Sequence, residues 1–130
     1  MKVGVIDYGC GNLFSLEAGL CRVGLEPVRV KNYRDASTCQ GLVIPGVGSY
    51  AAGMRGLRDL DLSEYIKEWA ALDKPLLGIC LGMQLMLEGS EEASGVEGLG
   101  LVKGNVKRLW GPYAIPHMGW TYVTGGEPWG

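Results

Sequence analysis

The stretch Leu76-Leu77-Gly78-Ile79-Cys80-Leu81-Gly82 decides the fold, because it joins an apolar run to a helix through a cysteine flanked by glycines. The run at 76–79 has the length of a buried strand, and a helix is predicted from about 81 to 88. The small residues at 78 and 82 relieve the crowding of a tight strand-to-helix turn. This is the thiol counterpart of the G-x-S-x-G nucleophile elbow, so Cys80 is the candidate nucleophile. A buried core cysteine is the alternative interpretation.

Toward the N-terminus the same alternation of strand and helix repeats. Apolar runs at 2–6, 27–30 and 42–44 are predicted strands, and helices are predicted to begin after Asn12, near Tyr50, and at a capping box formed by Asp61 and Glu64. This order predicts an α/β fold, a doubly wound and mostly parallel sheet with helices on both faces. Residues 99–110 and 119–124 show no helical period, and they predict an antiparallel extension of that sheet. Residues 1–130 are interpreted as one domain.

Composition narrows the classes of function. The chain has 130 residues and 47% apolar content, enough for one domain with its own core. Its 12 Lys+Arg do not exceed its 14 Asp+Glu, so nucleic-acid binding is not expected. The apolar runs are too short for a membrane span. Four cysteines without a C-x-x-C pair and a single histidine do not form a zinc site, so we expect no metal, no cofactor and a reduced, cytoplasmic set of thiols.

A second glycine turn, Pro45-Gly46-Val47-Gly48, follows the third predicted strand. The carboxyl ends of strands in a doubly wound sheet converge on one crevice, where ligands bind. The Val47 N–H, paired with the Leu81 N–H just after the nucleophile, would therefore form an oxyanion hole. An ordinary turn between strand and helix is the alternative. The glycine loop at 9–11 does not predict a nucleotide site, because Phe14 replaces the third glycine of that motif.

These motifs resemble the class I glutamine amidotransferases, and among them the glutaminase subunits of imidazole glycerol phosphate synthase in histidine biosynthesis. The resemblance covers nearly the whole chain and rests on four segments in the family's order, DYGCGNL at 7–13, PGVG at 45–48, GICLGMQ at 78–84 and PHMGW at 116–120. The elbow is shared across class I, whereas PHMGW points to the histidine-pathway subunits.

The resemblance implies a reaction and a partner. Cys80 would take the acyl group of the glutamine side chain and release ammonia, with Val47 and Leu81 as the oxyanion donors. The substrate would be held by Gly46, Gly48 and Gln84. The ammonia would pass to a separate (β/α)8 synthase subunit, which is faced in this family by Asn12, Pro116, His117, Met118, Gly119 and Trp120.

The sequence departs from the family in one respect. The family's catalytic histidine and glutamate lie in a His-Pro-Glu segment downstream of PHMGW, and the sequence stops before that segment. We therefore expect Cys80 to lack its base within this chain, a loss of about 10²–10⁴ in rate. The absent segment also predicts exposed apolar surface, covered by a partner or by self-association.

Three functional interpretations remain open: a glutaminase, a non-catalytic module that docks on the synthase subunit, and a thiol hydrolase or sensor that uses Cys80 without glutamine. His117, the single histidine, is interpreted as facing the partner rather than as the base. The glutamates between 88 and 97 are interpreted as a solvated loop.

Overall fold

The computed structural model describes residues 1–112, 115, 119, 120 and 122. Four strands and four helices are interspersed through the first 85 residues, and a pair of strands follows. The elements are β1 (Lys2–Ile6), α1 (Leu13–Arg22), β2 (Glu26–Val30), β3 (Gly41–Ile44), α2 (Tyr50–Asp59), α3 (Leu62–Ala71), β4 (Leu76–Gly78), α4 (Leu81–Leu85), β5 (Leu87–Ser90) and β6 (Val102–Val106).

The main sheet is parallel and has the order β2-β1-β3-β4. The chain moves from β1 outward to β2, and from β3 outward to β4 in the opposite direction. Right-handed crossovers in opposite directions place α1 on one face of the sheet and α2 with α3 on the other. The predicted doubly wound architecture with helices on both faces is therefore confirmed. The direction reverses between β1 and β3, so the loops that follow these two strands meet at one crevice.

The two faces of the sheet are covered unequally. Residues of α2 and α3 pack with the sheet in one buried cluster, whose members include Ile6, Ile44, Met54, Ile66 and Trp69. Helix α1, in contrast, contains no buried residue. On β4, Leu77 is 54% exposed. The last strand of the main sheet thus presents an apolar side chain at the surface.

The predicted antiparallel extension is wrong for the described residues. Strands β5 and β6 form a separate, two-stranded parallel sheet, with Leu87 opposite Val102 and Ser90 opposite Val106. The connection returns along β5 before β6 begins, so that both strands run in the same direction. Of the predicted strand at 119–124, residues 119, 120 and 122 are described and are not in a strand, and the others lie outside the described residues.

Two local predictions also need correction. The helix predicted to reach residue 88 ends at Leu85, because the N–H groups of Leu99 and Leu101 bond the carbonyls of Leu85 and Met86 that would continue it. The capping box at Asp61 is wrong as well. Asp61 has a left-handed backbone, with φ 55°, and its side chain caps no N–H group of α3. A capping side chain requires an extended backbone at that position.

Candidate active site

Cys80 lies at the turn between β4 and α4, where the sequence predicts a nucleophile elbow. Its backbone has φ 53° and ψ −116°, a strained conformation for a residue with a side chain. The thiol is exposed, which excludes the core-cysteine alternative. A Cβ at Gly78 would lie 2.6 Å from the Cα of Met83. The turn is therefore too tight for any larger residue at position 78.

The Pro45–Gly48 loop lies directly against the elbow. The N–H of Ile79 donates to the carbonyl of Ile44 at 2.9 Å. A Cβ on Gly46 would lie 2.8 Å from the Cβ of Leu81 and 2.9 Å from the N of Gly82. The structure thus brings together the two glycine motifs that are separated by 29 residues in the sequence.

The two predicted oxyanion donors flank this contact. Within the described part of the chain, neither the Val47 N–H nor the Leu81 N–H donates a hydrogen bond, so both remain available to a substrate oxygen. Gly48 has φ 106°, a conformation that favours glycine, and the Val47 side chain is 59% exposed. Free N–H groups on a loop held against the nucleophile are what an oxyanion hole requires.

Tyr8 is part of the site, although the sequence did not single it out. It follows β1, its side chain is buried, and its hydroxyl donates to the carbonyl of Pro45. Burial raises the pKa of this phenol, and the nearby thiols of Cys10 and Cys80 raise it further. The only signal in the sequence was its position at the carboxyl end of a buried strand.

A groove of about 520 Å³ lies beside Gln84. It is lined by Gln84, Ser90, Glu91, Glu92, Val106, Lys107, Arg108 and Trp110. Glu91 accepts a hydrogen bond from the Arg108 N–H at 3.2 Å, and Glu92 accepts one from the Tyr50 N–H at 3.4 Å. Both glutamates are exposed turn residues, as the solvated-loop interpretation predicts, and they also line this groove. The spacing of these glutamates in the sequence does not predict a position beside Gln84, because the side of the groove on which they lie is formed by β5 and β6.

The residues predicted to face a partner are only partly described. Asn12 caps α1, and its side chain accepts a hydrogen bond from the Ser15 N–H at 3.2 Å. Gly119 and Trp120 are exposed. Pro116, His117 and Met118 lie outside the described residues.

The described residues contain no cluster of three or more His, Cys, Asp or Glu side chains that could hold a metal ion. No helix within them is long and apolar enough to cross a membrane.

Comparison with known proteins matches the chain to one family. The family model for glutamine amidotransferase class-I matches residues 4–126. A relative from Parasynechococcus marenigrum (strain WH8102), imidazole glycerol phosphate synthase subunit HisH 2, is 48% identical over 124 residues, which cover 92% of this chain and 57% of that protein. The HisH subunit of Bacillus cytotoxicus is 43% identical over 122 residues, covering 94% and 58%.

A solved structure agrees with the sequence matches. A crystal structure of a glutamine amidotransferase superposes with a TM-score of 0.71 at 20% identity, over 82% of this chain and 56% of that one. At this identity the match concerns the fold. The chain spans somewhat more than half the length of the curated relatives that it matches. The family match over nearly the whole chain, together with these relatives, shows that the chain belongs to the class I glutamine amidotransferase family.

Proposed function

We propose that residues 1–130 form the nucleophile-bearing domain of a glutaminase that supplies ammonia for histidine biosynthesis. One observation carries the proposal: Cys80 stands exposed on a strained elbow that is in contact with the Pro45–Gly48 loop. The printed names of the relatives, subunits of imidazole glycerol phosphate synthase, support the pathway. A reduced, cytoplasmic setting belongs to this proposal, because the nucleophile must remain a free thiol.

The reaction follows from the position of the thiol. The Cys80 thiolate attacks the side-chain carbonyl carbon of glutamine, and the negative charge moves to the carbonyl oxygen. The N–H groups of Val47 and Leu81 stabilise that oxyanion, a contribution of about 10²–10³ in rate per donor in comparable sites. Collapse of the intermediate with a proton transferred to the nitrogen releases ammonia and leaves a glutamyl thioester. Water then hydrolyses the thioester to glutamate and restores the thiol.

The groove beside Gln84 has the charges that free glutamine requires. Glutamine carries an α-ammonium and an α-carboxylate at neutral pH. The groove is lined both by the carboxylates of Glu91 and Glu92 and by the cations of Lys107 and Arg108. Ion pairs with these groups would orient the substrate, and Gln84 would contribute an amide. Gly46 and Gly48 would lie along the substrate at the elbow.

Proton transfer requires a base in addition. No described residue is a histidine, since His117 is the only one in the chain. By resemblance to the family the base is a histidine downstream of PHMGW, and the proposal therefore includes a base that residues 1–120 do not supply. The (β/α)8 synthase subunit is proposed as the partner that receives ammonia, and Trp120, fully exposed, belongs to the surface proposed to meet it.

The experiment is ammonia release from glutamine, measured for this chain alone and with a histidine-pathway synthase subunit added. Because the described residues supply no base, we expect slow release, about 10²–10⁴-fold below that of a glutaminase with its base. Cys80→Ser should abolish this release, and the matched variant Cys21→Ser, which removes another exposed thiol, should leave it unchanged. Release that survives Cys80→Ser would overturn the mechanism. Absence of release, together with binding to the synthase subunit, would leave the chain a docking module. Alkylation of Cys80 that glutamine does not slow would favour the thiol sensor.

A further inference from the structure

Tyr8 connects the first strand of the sheet to the loop that carries an oxyanion donor. Its hydroxyl donates to the carbonyl oxygen of Pro45, and its side chain is only 5% exposed. A peptide unit is planar, so a bond that fixes the Pro45 carbonyl also fixes the orientation of the Gly46 N–H. The next N–H along the chain is that of Val47.

The Pro45–Gly46 peptide is enclosed by two other loops. On one side, a Cβ on Gly11 would lie 3.2 Å from the Cβ of Pro45. On the other side, the Gly46 position is in contact with Leu81 in the elbow, and its Cβ would also meet the Tyr8 hydroxyl at 2.5 Å. The Tyr8 hydrogen bond adds a polar contact to these van der Waals contacts. The hydroxyl is placed to fix the position of the Pro45–Gly48 loop relative to the elbow.

We infer that Tyr8 is a positioning residue, whose hydroxyl holds the Pro45–Gly46 peptide so that the Val47 N–H lies beside the carbon that Cys80 attacks. The inference rests on the proposed function, because it assigns Tyr8 a role in the same oxyanion hole. Tyr8 touches neither substrate nor nucleophile in this role. Burial raises the pKa of the phenol, so the hydroxyl stays protonated and remains a donor at neutral pH.

The test compares two reagents on Cys80 in the whole chain. The chloromethyl ketone analogue of glutamine reacts when the thiolate displaces chloride and a C–S bond forms, and its carbonyl must enter the oxyanion hole. Iodoacetamide alkylates the same thiol without needing that hole. In Tyr8→Phe, which keeps the ring and loses the hydroxyl, we expect the chloromethyl ketone to react about 10- to 100-fold more slowly, while iodoacetamide reacts as in the wild type.

Two control variants separate positioning from stability. Tyr65→Phe removes a partly buried hydroxyl from α3, and Ile66→Val loosens the core away from the loop. Both should react with the two reagents at wild-type rates. A chloromethyl ketone rate in Tyr8→Phe equal to that of these controls would overturn the inference. The proposed function itself would be overturned by a different result in the wild type: Cys80 reacts with the chloromethyl ketone no faster than the other thiols of the chain, and glutamine does not protect it.

If Tyr8→Phe does not fold, the wild-type chain still tests the inference by NMR. The Tyr8 hydroxyl proton is expected as a slowly exchanging signal, since it is buried and hydrogen-bonded. The hydroxyl of Tyr33, whose side chain is 57% exposed, provides the comparison. A Tyr8 hydroxyl proton that exchanges as fast as that of Tyr33 would overturn the inference.

Discussion

Replacing Gly82 with alanine should destabilise the chain at the elbow. The new Cβ would overlap the carbonyl oxygen of Ile44, and it would lie 2.6 Å from the carbon of that carbonyl and 3.0 Å from the oxygen of Pro45, whereas ordinary contact begins at 3.4 Å. The elbow and β3 must therefore separate by more than about 0.8 Å, the shift that the contact with the carbonyl carbon alone requires. Such overpacking costs about 1–3 kcal/mol, and the Ile79 N–H bond to the same carbonyl, worth about 1 kcal/mol, is stretched or lost. We expect the free energy of unfolding to fall by about 2–4 kcal/mol.

The assay is urea unfolding monitored by circular dichroism. The m-value, which is the slope of the unfolding free energy against urea concentration, should be the same in all variants. For a chain of this size the expected loss lowers the midpoint by about 1–3 M. Gly19→Ala is the matched control, because Gly19 lies inside α1 with nothing within 4 Å of a Cβ. That variant should gain about 0.5–1 kcal/mol from better helix propensity. A Gly82→Ala midpoint equal to that of the wild type, or equal losses in both variants, would refute the packing argument.

Three further expectations concern single side chains. Asn12→Ala should cost about 1 kcal/mol in urea unfolding through loss of the α1 cap, and Asn12→Ser should restore most of it; equal stability of the two variants would contradict the cap. Burial raises the pKa of the Cys39 thiol, so Cys39 should be alkylated far more slowly than Cys80 at pH 8, and the difference should disappear when urea is added. Mass spectrometry measures the two rates, and equal rates in the folded chain would count against this burial. A hydrogen bond from Arg29 lowers the pKa of Glu17, so this pair contributes a small, salt-sensitive stability that is complete above the ordinary glutamate pKa and is lost as pH falls through the lowered value. Glu17→Gln should flatten that part of the pH profile, and an unchanged profile would exclude the pair.

The main sheet could be predicted because its signals are local. Each of β1, β3 and β4 is an apolar run that ends in a glycine-containing turn. Asn12 and Ser49 cap α1 and α2, a position that asparagine and serine favour. The elbow and the Pro45–Gly48 loop were located by the same kind of signal. That these two segments meet follows from topology, since parallel strands present their carboxyl ends at one edge.

The rest depends on contacts between distant residues. Helix α4 ends early because backbone groups near Leu99 take its last carbonyls, and no pattern within the helix records that competition. Tyr8 reaches Pro45 across 37 positions of sequence. Glu91 and Glu92 line a groove only because β6 pairs in parallel with β5. Each of these features depends on pairings that are set by the whole fold rather than by local propensity.

Because β1 lies in the middle of the sheet, the first six residues hold the two sides of the sheet together. This strand pairs with β2 on one side and with β3 on the other, and the Met1 carbonyl accepts a further bond from the Glu26 N–H. A deletion as short as one strand would therefore remove both ladders at once and divide the sheet into two parts. The same arrangement offers a use: a synthetic peptide carrying β1, added to a chain that lacks it, could restore the fold and report on its own insertion.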